Sequence, residues 1–259
     1  MAPFAFQIHL LEILQGPWQV THPKRGRSRS TLRMGVVMKG VSRRIWLARA
    51  AAGGAALALG MMRLRVALAA NAVGKGVARV RGDVRINGKP AQRGMEVGPG
   101  DVVTTGRNAR LVVVVGRDAF LVRADSRIEL SGDAKRRLLS GLRVVSGALL
   151  SVFEPGRERQ IRTATASIGI RGTGIYIEAQ PMRTYVCTCY GASQLVPVDA
   201  PKEAETVRTL HHDQPRYIYP KGMPRMIEKA PVINHTDAEL ILLESLVGRK
   251  VPFDPSRYP

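Results

Sequence analysis

The chain has 259 residues, of which 45% are apolar and 5% aromatic, and its formal net charge is +20. This length is enough to bury the core of one large domain or of two small ones. The low aromatic content disfavours the stacked-ring surfaces that bind single-stranded nucleic acid.

The positive charge is unevenly distributed along the chain. Residues 1–70 hold 11 Lys and Arg against the single acid Glu12, a net of +10, and the other +10 is spread over the remaining 189 residues. That larger part has neither a dense basic block nor a nucleic-acid-binding motif. Because the charge is diluted in this way, we expect no nucleic-acid partner.

An export signal is predicted over 34–71. Arg43 and Arg44 belong to the run SRRIWL, which resembles the twin-arginine export motif, and thirteen uncharged residues follow from Ala50 to Met62. The small-residue tract LAANA at 68–72 completes the basic, apolar and small-residue order of a secretory signal. Thirteen residues are too few for a stable membrane span, which needs about 20. We therefore expect a periplasmic or secreted protein with no stable membrane span after signal cleavage.

Residues 1–33 precede this signal and include a basic, Ser-rich run from Lys24 to Ser30. Export motifs normally lie near the N-terminus, and a start at Met34 or Met38 would give a signal of normal length. We interpret 1–33 as a mis-called start or a disordered lead and assign it no function. The alternative to an export signal is a buried or amphipathic N-terminal helix.

From Gly76 the pattern changes to short strands joined by turns. Val84 and Ile86 lie at alternate positions ahead of Asn87-Gly88, a dipeptide typical of tight hairpin turns. A turn is also expected at Ser146-Gly147. Strands of about five residues without helical periods between them indicate an all-β domain, and periodicity alone leaves a sandwich, a barrel and a solenoid open. The further apolar runs lie at 111–115, 120–122, 128–130, 143–145 and 149–153.

Two stretches resemble a known domain family. Residues 100–106 read GDVVTTG, and residues 163–173 read TATASIGIRGT, with Ala164 where proline is common. In this order they resemble the opening and the signature of FecR domains, and the resemblance covers 75–190. It implies an all-β, short-stranded unit, solenoid- or sandwich-like, on the periplasmic side of the envelope.

FecR domains are best known from regulators that relay siderophore-receptor occupancy to a sigma factor. Those regulators carry a cytoplasmic anti-sigma domain and a transmembrane helix before the FecR domain, whereas the residues before 75 fit a signal peptide. We therefore expect an exported sensory or interaction module that binds a ligand or another envelope protein. We expect no anti-sigma activity of its own.

Within the signature, Arg171 and Thr173 are the candidate contacts to a ligand or partner. The apolar residues at 168, 170, 175 and 177 are expected on one side of two strand pieces, with glycines between them that permit bending. Arg171 would either pair free backbone carbonyls at this corner or bind a carboxylate ligand in a bidentate manner. The structural interpretation is favoured, because Gly-rich corners commonly need such a donor.

The two cysteines, Cys187 and Cys189, lie two residues apart, and His211, His212 and His235 follow later in the chain. On a strand, positions i and i+2 share a face, so the two thiols would lie side by side. Two thiolates and two imidazoles can complete a tetrahedral zinc site or bind copper or iron. The alternatives are haem binding, a redox-active disulfide, or an inert oxidised pair with solvated histidines.

The C-terminal part, 191–259, is rich in proline and is predicted to be a loop-rich extension that contains one helix near 237–247. Thr236 and Glu239 form a capping-box pattern, apolar residues at 240, 243 and 247 share one helix face, and Gly248 follows at a C-cap position. We expect this helix to pack on the β domain, which would bring His235 near the cysteines.

No catalytic motif stands out in the sequence. There is no nucleophile elbow, no zinc-protease helix motif, no phosphate-binding loop and no dinucleotide fingerprint. Asp118, Asp125 and Glu129 are expected on turns and strand surfaces and not as a paired carboxylate site. We therefore expect that the protein is not an enzyme.

Two functional hypotheses follow from the sequence. The first is a non-enzymatic envelope module that binds a ligand or partner through its β surface and is itself metal-free. The second is a periplasmic protein that binds a transition metal or haem, or undergoes thiol redox chemistry, through Cys187, Cys189, His211, His212 and His235.

The export prediction is testable with a reporter. Changing Arg43 and Arg44 together to Lys is expected to abolish translocation of a fused reporter, because the twin-arginine route reads the arginine pair itself. The double change Lys24→Gln and Arg25→Gln, outside the motif, serves as the control. Unchanged translocation of the Lys variant would contradict the twin-arginine assignment.

Overall fold

The computed structural model describes residues 75–136 and 138–257. The predicted lead at 1–33 and the predicted export signal at 34–71, with its arginine pair, lie outside these residues and stay predictions. Within the described part, no helix is long and apolar enough to cross a membrane.

Strands dominate the described residues, and one α-helix follows them, so the predicted all-β class with a short C-terminal helix is confirmed. The elements are β1 (Gly76–Arg81), β2 (Val84–Ile86), β3 (Lys89–Pro90), β4 (Val102–Thr105), β5 (Arg110–Val115), β6 (Asp118–Val122), β7 (Arg127–Asp133), β8 (Leu138–Val152), β9 (Glu158–Arg162), β10 (Ala166–Arg171), β11 (Gly174–Gln180), β12 (Arg183–Pro197), β13 (Glu205–Thr209), β14 (Arg216–Ile218), β15 (Ile227–Lys229) and α1 (Asp237–Leu246).

The strands form two sheets that face each other. The central sheet has the order β1-β5-β6-β8-β11-β12-β14-β15, and all of its pairs are antiparallel. The flanking sheet has the order β3-β2-β4-β7-β8-β9-β10-β12-β13, in which β8 and β9 are parallel. The long strands β8 and β12 pass from one sheet into the other. They join the sheets at two corners and give a β-barrel core with further strands outside it.

The space between the two sheets holds the larger apolar core. Ile168 and Ile170 of β10 enter it from the flanking sheet, and Ile175 and Ile177 of β11 enter it from the central sheet. This is the arrangement that their alternate spacing predicts. Each aliphatic side chain of this kind contributes about 1.5–3 kcal/mol by leaving water.

The central sheet is buried on both faces. Its strands β5 and β6 carry uninterrupted apolar runs, Leu111–Val115 and Ala119–Val122, so alternate side chains point away from the barrel as well as into it. The outward set forms a second apolar cluster that includes Leu240 and Leu243 of α1. We call residues 230–253, which pack over this face, the covering segment.

Helix α1 begins as the sequence predicts. The Thr236 side chain accepts the Glu239 backbone N–H, and the Glu239 carboxylate accepts the Thr236 backbone N–H, which completes the capping box. The same carboxylate pairs with both terminal nitrogens of Arg123, just after β6, at 2.7 and 2.8 Å. The bidentate pair fixes the start of the helix against the central sheet.

The turn predicted at Ser146-Gly147 is wrong, because β8 runs through it as one strand. Gly147 has a φ of +83°, and a Cβ at this position would lie 2.1 Å from the Ser126 hydroxyl. That hydroxyl accepts the Ala148 N–H at 2.9 Å. The glycine therefore lets β8 bend around Ser126 without ending, and the bend allows one strand to serve two sheets.

The predicted surface position of Asp118 is also wrong, since its side chain is only 2% exposed. Its carboxylate accepts hydrogen bonds from Arg159, with Nη2 at 3.0 Å and Nε at 3.2 Å, and from the Glu154 N–H at 2.8 Å. Burial raises the pKa of Asp118, although the Glu154 N–H and Arg159 act in the opposite direction. The partners are 41 residues apart, so no local pattern reveals the pair.

Replacing Asp118 with Ala is expected to lower the free energy of unfolding by about 3–5 kcal/mol, because Arg159 would stay buried without a counter-charge. Asp83→Ala is the control, since it removes an exposed ion pair with Arg85 and is expected to cost less than about 1 kcal/mol. Urea unfolding measures both variants. Similar small losses in both would show that the buried pair is not required.

Candidate metal centre

Both cysteines lie on β12 where this strand is irregular. Gly174 of β11 pairs with Tyr190 and Ile175 pairs with Thr188, so Cys189 has no partner in the register and forms a β-bulge. Cys187, Cys189 and Tyr190 all belong to the outward cluster of the central sheet. The i, i+2 spacing places Cys187 and Cys189 on the outward face, and the bulge adds Tyr190 to the same face.

His212 reaches the cysteines from the loop between β13 and β14. Its backbone N–H donates to the Cys189 carbonyl at 3.0 Å, a group that the bulge leaves unpaired in the ladder. The φ of His212 is +47°, a left-handed conformation that is uncommon for residues other than glycine. Such backbone strain persists where the surrounding contacts enforce it, and it concentrates at functional sites.

His235 comes from the covering segment, immediately before the helix N-cap. Asn234 turns the chain with a φ of +59°, and its side chain donates to Glu178 at 2.7 Å. The His235 ring stacks on the Tyr176 ring with centroids 4.6 Å apart. Arg123 donates to the Asn234 carbonyl at 2.7 Å. His235 is thus held by contacts to the central sheet on both its backbone and its ring.

The side chains of Cys187, Cys189, His212 and His235 converge on one point. Their donor atoms all lie within 4.8 Å of one another, and all four residues are buried. Cys187 Sγ is 3.6 Å from His212 Nδ1, which is 2.8 Å from His235 Nε2. In a tetrahedral zinc site the S···N edge is about 3.6 Å and the N···N edge about 3.3 Å, given the usual zinc bond lengths. The S···N distance therefore matches that of a single-ion site, whereas the two ring nitrogens would have to separate by about 0.5 Å to bind one ion.

The other ring nitrogen of each histidine has its own acceptor. His212 Nε2 donates to the Asp237 carboxylate at 2.9 Å, and His235 Nδ1 donates to the Ile233 carbonyl at 2.6 Å. These contacts orient both rings so that His212 Nδ1 and His235 Nε2 face the thiols. Histidines that bind metals almost always have such an outer acceptor, which fixes the ring and raises its basicity.

The cluster is electrostatically polarised. Hydrogen bonding to Cys189, and then to His212 and His235, holds the pKa of the Cys187 thiol well below its usual range despite burial. Burial and the neighbouring Cys187 raise the pKa of Cys189. Burial opposes the charged form of His212, but Cys187 and Asp237 outweigh it and raise the pKa of that ring. Cys187 is therefore the sulfur that favours the thiolate, which is the form that binds metal.

The geometry favours an ion over the other interpretations of the cysteines. Both are free thiols, and Cys187 Sγ lies against His212 Nδ1 at 3.6 Å. A haem would need space for its macrocycle beside whichever donor bound its iron. Here the donors are at hydrogen-bonding distance from each other, with His212 Nδ1 and His235 Nε2 only 2.8 Å apart.

The structure separates the remaining predicted site residues from the four donors. His211 contributes no donor atom to them, and its Nε2 instead lies 2.8 Å from Asp237. Arg171 is exposed at the end of β10. Thr173 is fully buried and donates to the Ala192 carbonyl at 2.9 Å, a contact that holds the corner together. The predicted role of Arg171 and Thr173 in binding a ligand or partner stays a prediction.

Asp237 is the site residue that the sequence did not reveal. It belongs to the capping-box stretch, so its local pattern is fully explained by the start of a helix. Its carboxylate nevertheless contacts both His211 and His212. The available signal was its position two residues after His235, on a helix predicted to bring that histidine to the cysteines.

No family model matches the sequence, and no curated protein is similar to it. Two crystal structures of a putative anti-sigma factor from Parabacteroides distasonis ATCC 8503 are similar to part of the chain, each with a TM-score of 0.41. They are 12% and 11% identical to it, and each match covers 50% of this chain and 58% of the other. The chain thus spans a little over half the length of these structures. The resemblance of 75–190 to FecR domains stays a prediction.

In the metal-free protein at neutral pH, the ultraviolet absorbance of one thiolate is expected. Cys187→Ser should abolish it, because Cys187 is the thiol whose pKa lies below the usual range, and Cys189→Ser should retain it, because the serine hydroxyl can still donate a hydrogen bond to Cys187. Since a depressed pKa keeps the thiolate charged until the pH falls past it, the absorbance should survive mild acidification. Absence of thiolate at neutral pH, or equal loss in the two variants, would contradict the polarisation.

Proposed function

We propose that this protein is an exported, non-enzymatic module of the cell envelope that binds a transition metal ion through Cys187, Cys189, His212 and His235. The observation that carries the proposal is the convergence of four buried donor atoms within 4.8 Å of one another. It favours the second hypothesis from the sequence over a metal-free module. His211 belongs to the ligand set predicted from the sequence, but it is not one of these four donors. Asp237 instead provides an outer contact to His212.

Zinc is the ion that this donor set suits best. Two thiolates and two imidazoles form the S₂N₂ set that is typical of tetrahedral zinc sites. Copper(I) and iron also bind thiolates, but two thiolates with two imidazoles are a usual structural zinc set, and the 3.6 Å between Cys187 Sγ and His212 Nδ1 matches its S···N edge. Apolar and aromatic residues surround the donors, and Tyr176, Tyr185 and Tyr190 belong to the same cluster.

A closed site of this kind supports a structural or sensory role. Catalytic zinc sites keep an open position for water or substrate, whereas structural sites take all four ligands from the protein. Here four protein donors surround one point, and each of the four residues is buried. We therefore propose that the ion at these four donors is not catalytic and that its binding is the signal that the module reports.

Metal occupancy would connect three separate parts of the chain. Cys187 and Cys189 lie on β12, His212 lies in the loop before β14, and His235 lies in the covering segment. An ion at this point would tie the covering segment to the central sheet, so metal binding and the packing of that segment would reinforce each other. This linkage suits a module that reports metal availability in the periplasm or outside the cell.

Zinc at 100 times its dissociation constant is expected to stabilise the chelator-treated full chain by about 2.7 kcal/mol, because only the folded state presents the site. Cys187→Ser and His235→Ala should lose this stabilisation, and the control Asp213→Asn, whose carboxylate contacts Thr209, should keep it. Thermal unfolding with and without zinc, together with elemental analysis, measures the effect. No zinc-dependent shift, or equal shifts in all variants, would overturn the proposed function.

A further inference from the structure

A second set of donors lies beside the first and shares His212 with it. His211, His212 and Asp237 each offer one ligand atom, and these atoms also lie within 4.8 Å of one another. His211 Nε2 is 2.9 and 2.8 Å from the two Asp237 oxygens, and His212 Nε2 is 2.9 Å from Asp237 Oδ1. Two imidazoles and a carboxylate therefore point at one place.

His212 faces the two sets with opposite nitrogens. Its Nδ1 lies against Cys187 and His235, and its Nε2 lies against Asp237. An outer acceptor for His212 would require only Asp237. His211 goes beyond that requirement, because it brings a further imidazole nitrogen to the same carboxylate without contributing to the first set.

We infer that His211, His212 and Asp237 form a second metal site, bridged to the first through the His212 ring. This inference rests on the proposed function for its first ion, because the two sites share that ring. With metal–nitrogen bonds of about 2.0–2.1 Å on each side of one imidazole, the two ions would lie about 6 Å apart. His212 would then bridge as an imidazolate, with its ring N–H proton released to solvent.

The second site differs from the first in its access to solvent. The side chains of His211 and Asp237 are 15% and 23% exposed, whereas that of His212 is 8% exposed. Three protein donors with one solvent-facing side leave a coordination position for water or a small anion. Its nitrogen and oxygen donors suit zinc, copper(II) or nickel(II). The first site differs in this respect, because its thiolates favour soft ions.

The backbone holds this second set in place. His211 and His212 are consecutive, and the positive φ of His212 accompanies an angle of 90° between their rings, so their Nε2 atoms approach one carboxylate from two directions. Asp237 is the first residue of α1, where the partial positive charge of the helix N-terminus favours a carboxylate. The Phe253 ring packs against the His211 ring, with centroids 4.7 Å apart. This contact limits the motion of the His211 ring.

The test is a titration of the chelator-treated full chain with cobalt(II), followed by thiolate-to-cobalt charge-transfer absorbance and by elemental analysis. The wild-type chain is expected to take up two ions, the first with the thiolate band and the second without it. His211→Ala should take up one ion with the thiolate band unchanged. The matched control is Asp213→Asn, because Asp213 is a neighbouring carboxylate that hydrogen-bonds Thr209 instead.

Each other outcome decides between the two sites. One ion with the thiolate band in both the wild type and His211→Ala would overturn the second site and leave the first intact. Uptake that needs His211 but gives no thiolate band would overturn the first site and the bridge. No uptake by the wild type would end both proposals. Circular dichroism of His211→Ala confirms that the variant keeps the β fold.

Discussion

The structure depends on a central sheet that is apolar on both faces. Strands such as β5 and β6 cannot leave either face in water, so one face packs into the barrel and the other requires a cover. Helix α1 and the flanking parts of the covering segment supply it. Burial of these apolar side chains therefore places His235 next to the strand that carries the two cysteines, independently of metal binding.

The donor cluster is assembled by contacts that do not involve an ion. Arg123 holds Glu239 and the Asn234 carbonyl, and the bulge at Cys189 receives the backbone of His212. A site ordered in this way loses little conformational entropy when a metal binds, which favours affinity. The same contacts hold His212 in its uncommon left-handed backbone conformation.

Local sequence patterns predicted the strands and the helix of this fold better than the contacts between residues far apart in the chain. Alternation and the capping box identified the strands and α1, because these depend on neighbours a few residues away. The continuous path of β8 depends on a steric contact between Gly147 and Ser126, and the burial of Asp118 depends on a partner 41 residues away. Neither contact leaves a signal in the local sequence.

The sequence predicted which residue types meet at the candidate site, but not which individual residues do so. The Cys-x-Cys spacing and the position of His235 before a packed helix correctly indicated that thiols and an imidazole would meet. The choice of His212 over His211 follows from a positive φ and a bulge, which local patterns do not reveal. Asp237 was hidden because capping already explained it.

The central claim is that one ion binds between two thiolates and two imidazoles. The most direct measurement is the X-ray absorption fine structure at the zinc edge of the full chain loaded with one equivalent of zinc. The account predicts two sulfur neighbours at about 2.3 Å and two nitrogen neighbours at about 2.0–2.1 Å. A shell made only of nitrogen and oxygen neighbours would contradict it.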